Sequence, residues 1–257
     1  MFSFCTALTT PPQLPATKVE YGCYSSMFYG CSSLLTTPSL PSTKMEEYCY
    51  SGMFYGCTSL TNPPVLPATI LAPYCYESMF DHCSNLTSAP VLPASQMKSS
   101  CYNDMFAYCT SLTTPPALPG TTLAQYCYSG MFEYSGLITP PELPALILAE
   151  SCYSSMFCGC EFLTTAPELP AMTLANYCYY YMFAYCSSLA EAPDLPATEL
   201  KDYCYYHMFE GCSLITTPPD FTTSPLAYNC FGGMFKDCTS LTSTPELLAT
   251  ELTYGCY

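Results

Sequence analysis

The chain has no tryptophan, no arginine, five lysines and two histidines among 257 residues, against twenty aspartates plus glutamates, for a net charge of −15. So few cations, scattered along the sequence, cannot neutralise a run of phosphates, which excludes nucleic acid as a partner. An anionic membrane surface is disfavoured for the same reason. No apolar run approaches the ~20 residues that a spanning helix needs. The first dozen residues lack the basic and long apolar stretches of a signal peptide. Charged residues are only 10 % of the chain while hydrophobic ones reach 50 %, which argues against intrinsic disorder.

What is present is a repeat. Met-Phe recurs at Met1, Met27, Met53, Met79, Met105, Met131, Met156, Met182, Met208 and Met234, spaced by 26 residues and once by 25. Numbering each unit from its Met gives 26 columns. Phe fills column 2 and Pro column 12 in every unit. Leu fills column 14 except at Phe221, and column 19 is always Val, Met or Leu. Cys fills column 23, followed by an aromatic residue at column 24. A fixed period of this length marks a solenoid, in which coils that cannot bury an apolar face alone stack to share a core. Residues 1–257 therefore read as a single domain of ten units, without polar capping repeats.

Within the unit, Val19, Cys23, Met27, Cys31 and Leu34 fall at near-helical spacing, which predicts a short helix from column 20 to column 5. Ser224-Pro225 reads as its N-cap and first turn, and Gly30, Gly56, Gly159 and Gly211 as its C-terminal glycines. The opposite half, Leu-Thr-Thr-x-Pro-x-Leu-Pro, reads as a very short extended segment. Its prolines leave one or two ladder bonds near columns 13–14, and alternation turns column 13 away from Leu14.

The run Met27-Phe28-Tyr29-Gly30-Cys31-Ser32-Ser33-Leu34 and its equivalent Met53-Phe54-Tyr55-Gly56-Cys57-Thr58-Ser59-Leu60 resemble the BspA-like leucine-rich repeats of bacterial surface proteins and of some protist and phage proteins. The resemblance implies an α/β leucine-rich-repeat solenoid, a right-handed coil of ten 26-residue units, each a very short extended segment plus a short convex helix. It implies extracellular or cell-surface display and adhesion to protein or glycan partners, and no catalytic residues or cofactor. The uncapped ends support a second reading, a structural subunit of an extracellular fibre or virion appendage that self-associates end to end.

Twenty cysteines admit three readings: buried thiols, disulfides if the segment is not helical, or metal ligands, although no Cys-x-x-Cys occurs. Charge is uneven. Residues 131–257 carry fourteen acids and two lysines, and column 13 changes there from Gln13, Ser39, Val65, Val91 and Ala117 to Glu142, Glu168, Asp194, Asp220 and Glu246. Stacking places these carboxylates in a row. The row is either a solvated edge, a docking strip for a basic partner, or a set of weak Ca²⁺ sites. The column-24 tyrosines read as packing residues with surface hydroxyls, and His82 and His207 as exposed and incidental.

Overall fold

The computed structural model describes residues 1–220 and 225–257. The expected helix is absent: among the described residues there is no helix, and β-structure is limited to isolated parallel bridges pairing Lys44 with Ile70, Thr122 with Ile147 and Thr173 with Glu199. Ser224 and Phe221 lie outside the described residues.

Columns 20–5 instead form a chain of overlapping four-residue turns. Cys23, Ser25, Met27, Tyr29 and Cys31 each donate their N–H to the carbonyl three residues earlier, at 3.0–3.2 Å. The intervening residues Gly22, Tyr24, Ser26, Phe28 and Gly30 donate to carbonyls in the next coil, at 2.7–3.0 Å. Alternate amides thus close turns and tie coils together, which satisfies this buried backbone.

The local cause is a left-handed residue at every fourth position. The twenty non-glycine and nine glycine residues of positive φ all fall in columns 22, 26 and 4, as in Gly22, Ser26 and Gly30. A positive φ at the third residue of a four-residue turn is the type II geometry, and it cannot continue a right-handed helix. Placing Tyr or His there costs ~1–2 kcal/mol each. The inter-coil bonds and the burial that follow offset that cost. The left-handed residues of columns 22 and 26 each precede an inward pair within the array: Cys49-Tyr50 after Tyr48, then Met53-Phe54 after Gly52.

These inward pairs make the core. The column-2 rings stack from Phe28 on Phe54 at 5.6 Å through Phe80 on Phe106 at 5.7 Å to Phe183 on Phe209 at 5.7 Å, all nearly parallel. The column-24 rings run beside them, Tyr76 on Tyr102 at 5.8 Å and Tyr153 on Tyr179 at 6.0 Å. Their hydroxyls are not at the surface: those of Tyr50 and Tyr76 are buried without a partner, and that of Tyr128 is buried against the backbone of Gly120. The tyrosine crosses the core toward column 16, where a Cβ on Gly120 would stand 3.1 Å from the Tyr128 hydroxyl. Only a small residue fits there, and Ala68, Ala94, Ala145, Ala171 and Ala197 occupy the equivalent places.

The cysteines resolve as free thiols, seventeen of the twenty buried. Column-5 thiols donate to the Phe carbonyl of the preceding coil, Cys57 to Phe28 at 3.2 Å and Cys186 to Phe157 at 3.0 Å. They pack as small hydrophobes with a weak donor.

On the opposite side the ladder bonds are not at columns 13–14. They flank that stretch, at column 9 (Thr87 N–H to Thr61 O, 3.1 Å) and columns 17–19 (Met45 N–H to Ile70 O, 2.8 Å). Among the described residues the backbone of columns 10–16 makes no hydrogen bond to a neighbouring coil. The two prolines remove donors there, and the coils are held on either side of it.

Candidate functional site

Column 13 points outward, between the buried Leu14 column and solvent. Val65 and Val91 are about four-fifths exposed there, although both are apolar. Glu142, Glu168, Asp194, Asp220 and Glu246 are all exposed on the same side, on successive turns of the chain. Among the described residues the ion pairs join Lys44 to Glu46, His82 to Asp81, and His207 and Lys236 to Glu210, so none of the five has a cationic partner.

The unbonded backbone leaves clefts between successive coils at these carboxylates. One of about 470 Å³ lies between Pro141-Glu142-Leu143-Pro144 and Pro167-Glu168. The next, about 390 Å³, lies between Glu168-Leu169-Pro170 and Pro193-Asp194. A third, about 490 Å³, runs from Glu191 and Asp194 to Pro219 and Asp220. Each cleft has proline or leucine in its walls and a carboxylate at its rim. Among the described residues no three His, Cys, Asp or Glu side chains converge closely enough to hold a metal ion.

The turn face carries acids of a different kind, which are internally partnered. Glu210 is buried and accepts from Lys236 (2.6 Å) and the Tyr185 hydroxyl (3.0 Å), with His207 Nδ1 at 2.5 Å. Burial alone would raise its pKa, but these hydrogen bonds prevail and hold it below the usual carboxylate range. Asp104 has no cation. Burial first, then the charges of Asp81, Glu133 and Glu77, push it up to about 7, against a bond from Asn103. Sequence reasoning did not find either cluster. Its members come from different columns (3, 4, 25 and 26), and only the turn geometry brings them together. His82 is exposed as expected but stacks on Tyr108 at 4.3 Å, whereas His207 has a largely buried side chain and stacks on Tyr181 at 4.8 Å.

The buried thiols offer no nucleophile. Burial pushes Cys49, Cys57 and Cys101 up to about 12, so they stay protonated near neutrality. The clefts hold carboxylates without a matched base or electrophile.

The model of the BspA-type leucine-rich repeat region matches residues 1–133 and 100–244, in six copies. The chain belongs to this family, whose members are generally non-enzymatic, surface-associated repeats that bind other proteins. Among solved structures, a leucine-rich repeat protein from Bacteroides ovatus is similar over 93 % of this chain and 79 % of that one, at 17 % identity and a TM-score of 0.35. That likeness is too loose to inform on geometry or ligand. No curated protein matches the chain. Among the described residues no helix is long and apolar enough to cross a membrane.

Proposed function

We propose that the protein is a non-enzymatic recognition array of ten 26-residue coils, displayed on a cell or virion surface, that binds protein or glycan partners through its outward columns. The observation that carries this reading is the division of labour between columns. Inward columns 1, 2, 5, 14, 23 and 24 hardly vary along the chain, while column 13, exposed in every coil, changes from Gln, Ser, Val and Ala to Glu and Asp. Identical cores set a constant scaffold, and the changing exterior supplies specificity.

The test offers the purified chain to arrays of extracellular proteins and of glycans. Saturable binding to members of either array, by a protein that stays monomeric in sedimentation, supports the reading. Absence of saturable binding on both arrays, with long filaments in electron micrographs, overturns it in favour of a fibre or appendage subunit.

A further inference from the structure

We propose that the inter-coil clefts around Glu142, Glu168, Asp194 and Asp220, continued by Glu246, form a docking strip for an extended, arginine- or lysine-bearing polypeptide segment. The proposal rests on the recognition reading above and names the face and the chemistry of the partner.

Three features of this face converge. The clefts recur on consecutive coils, since the cause recurs: prolines at columns 12 and 15 remove the amides that would close one coil on the next. The clefts from Glu142 to Glu168 and from Glu168 to Asp194 are walled by proline rings and the edge of the leucine column, and the third, toward Asp220, adds Thr216 and Thr217 to its prolines. Their rims are anionic and have no cationic partner, whereas on the turn face Asp81 is paired with His82 and Glu210 with Lys236 and His207.

Charge selects among occupants. A second copy of this chain would bring the same carboxylates and a net charge of −15, so self-association through this face is repelled. A nucleic acid or an anionic lipid surface is repelled likewise. A cationic side chain fits both parts of each cleft. Its methylene stem lies along the proline wall and its head reaches the rim carboxylate, where a guanidinium pairs with both oxygens. An extended backbone is required because the anionic sites form a line rather than a bowl. Such a chain places same-side residues every ~6.8 Å, and long flexible arms absorb the mismatch with the closer spacing of the coils, whose core rings stack at 5.5–6.0 Å.

The test uses the full chain and a dye-labelled (Arg-Ala)6 peptide, with (Gln-Ala)6 as the uncharged comparison, read by fluorescence anisotropy. One variant neutralises the strip: Glu142→Gln, Glu168→Gln, Asp194→Asn, Asp220→Asn and Glu246→Gln. A matched variant neutralises five exposed acids elsewhere: Glu20→Gln, Glu150→Gln, Glu161→Gln, Glu199→Gln and Glu251→Gln. An exposed ion pair changes affinity by up to about fivefold. Loss of all five should therefore weaken the arginine peptide by tenfold or more and flatten its salt dependence, while the matched variant loses less than threefold. Equal losses in both variants would mean a diffuse polyanion and overturn the proposal. So would an unchanged strip variant, or no binding of the arginine peptide to the parent chain. Folding is checked separately by urea unfolding, where removing like charges should not lower the midpoint. Failure here combined with saturable binding on the protein or glycan arrays removes the strip and leaves the recognition reading standing. Failure of both removes both.

Discussion

Replacing Tyr76 by Phe should make the protein more stable, by an amount the core geometry sets. Tyr76 is 1 % exposed, stacked between Tyr50 at 5.9 Å and Tyr102 at 5.8 Å, and its hydroxyl is buried without a hydrogen-bond partner. Burial also pushes its pKa well above the usual phenol value. An unpaired hydroxyl taken out of water costs ~1–3 kcal/mol. Phe keeps the ring, its area and both stacks, and leaves only a small gap at the para position. The chain already carries this exchange at Phe231, which stacks on Tyr205 at 5.5 Å in the same column. The expected gain is therefore ~1–1.5 kcal/mol after allowing for the lost contacts of the hydroxyl oxygen. With a urea dependence of ~3 kcal/mol/M for a chain of this size, the midpoint should rise by about 0.3–0.5 M. Tyr76→Ala is the internal control. It opens a large cavity in the middle of the stack and should cost ~3–5 kcal/mol. Equilibrium urea unfolding followed by circular dichroism measures all three proteins. A Tyr76→Phe midpoint at or below that of the parent would refute the reasoning, because it would show that the hydroxyl has a partner in the core.

Other perturbations have defined outcomes. At Gly136→Ala the added Cβ would overlap the Thr110 carbonyl oxygen, where the shortened unit presses its backbone on the coil before it, so urea unfolding should register a loss of ~2 kcal/mol or more. A thiol-reactive dye on the native protein should titrate the two exposed cysteines, Cys5 and Cys23, quickly and half-buried Cys238 slowly, with the seventeen buried thiols appearing only in denaturant. Asp104 gives a pH signature. Its folded pKa of about 7 lies above the unfolded value, so the folded state binds the extra proton. Its contribution to stability is greatest below about pH 4 and is lost as pH rises toward 7, by at most ~4 kcal/mol. Asp104→Asn should flatten that slope in unfolding curves taken from pH 4 to 8 while leaving the pH 4 value nearly unchanged.

The repeat, its register and its inward columns were legible because burial acts on residue type directly. Met, Phe, Cys and Leu recur where the core needs them, and Leu14, Leu40, Leu66, Leu92, Leu118, Leu143, Leu169 and Leu195 are buried as alternation required. The helix was misread for a physical reason. Cys23, Met27 and Cys31 are four apart, close enough to 3.6 to mimic a helical stripe. Yet the apolar residues come as adjacent pairs, Cys23-Tyr24 and Met27-Phe28, which a helix would splay and a turn every four residues keeps on one side. Nine of the twelve glycines sit in the left-handed columns, which was the available clue. It was obscured because Tyr, Ser and His fill the same columns in other units. The outward row at Glu142 to Glu246 was visible in the sequence, since a single column changed character. The clefts beside it were not, because they depend on where ladder bonds are missing. The Glu210 cluster was equally hidden: Tyr185, His207 and Lys236 belong to three different columns.

The most direct test of the account is residue-resolved amide hydrogen exchange on the native protein. Amides tied to the next coil, such as Tyr102, Phe106 and Tyr128, should exchange only through unfolding. The amides of Glu142, Glu168 and Asp194, which make no backbone bond to a neighbouring coil, should exchange orders of magnitude faster. Equal protection of both sets would mean that a continuous ladder crosses the acidic face and closes its clefts, and the account of this surface would fail.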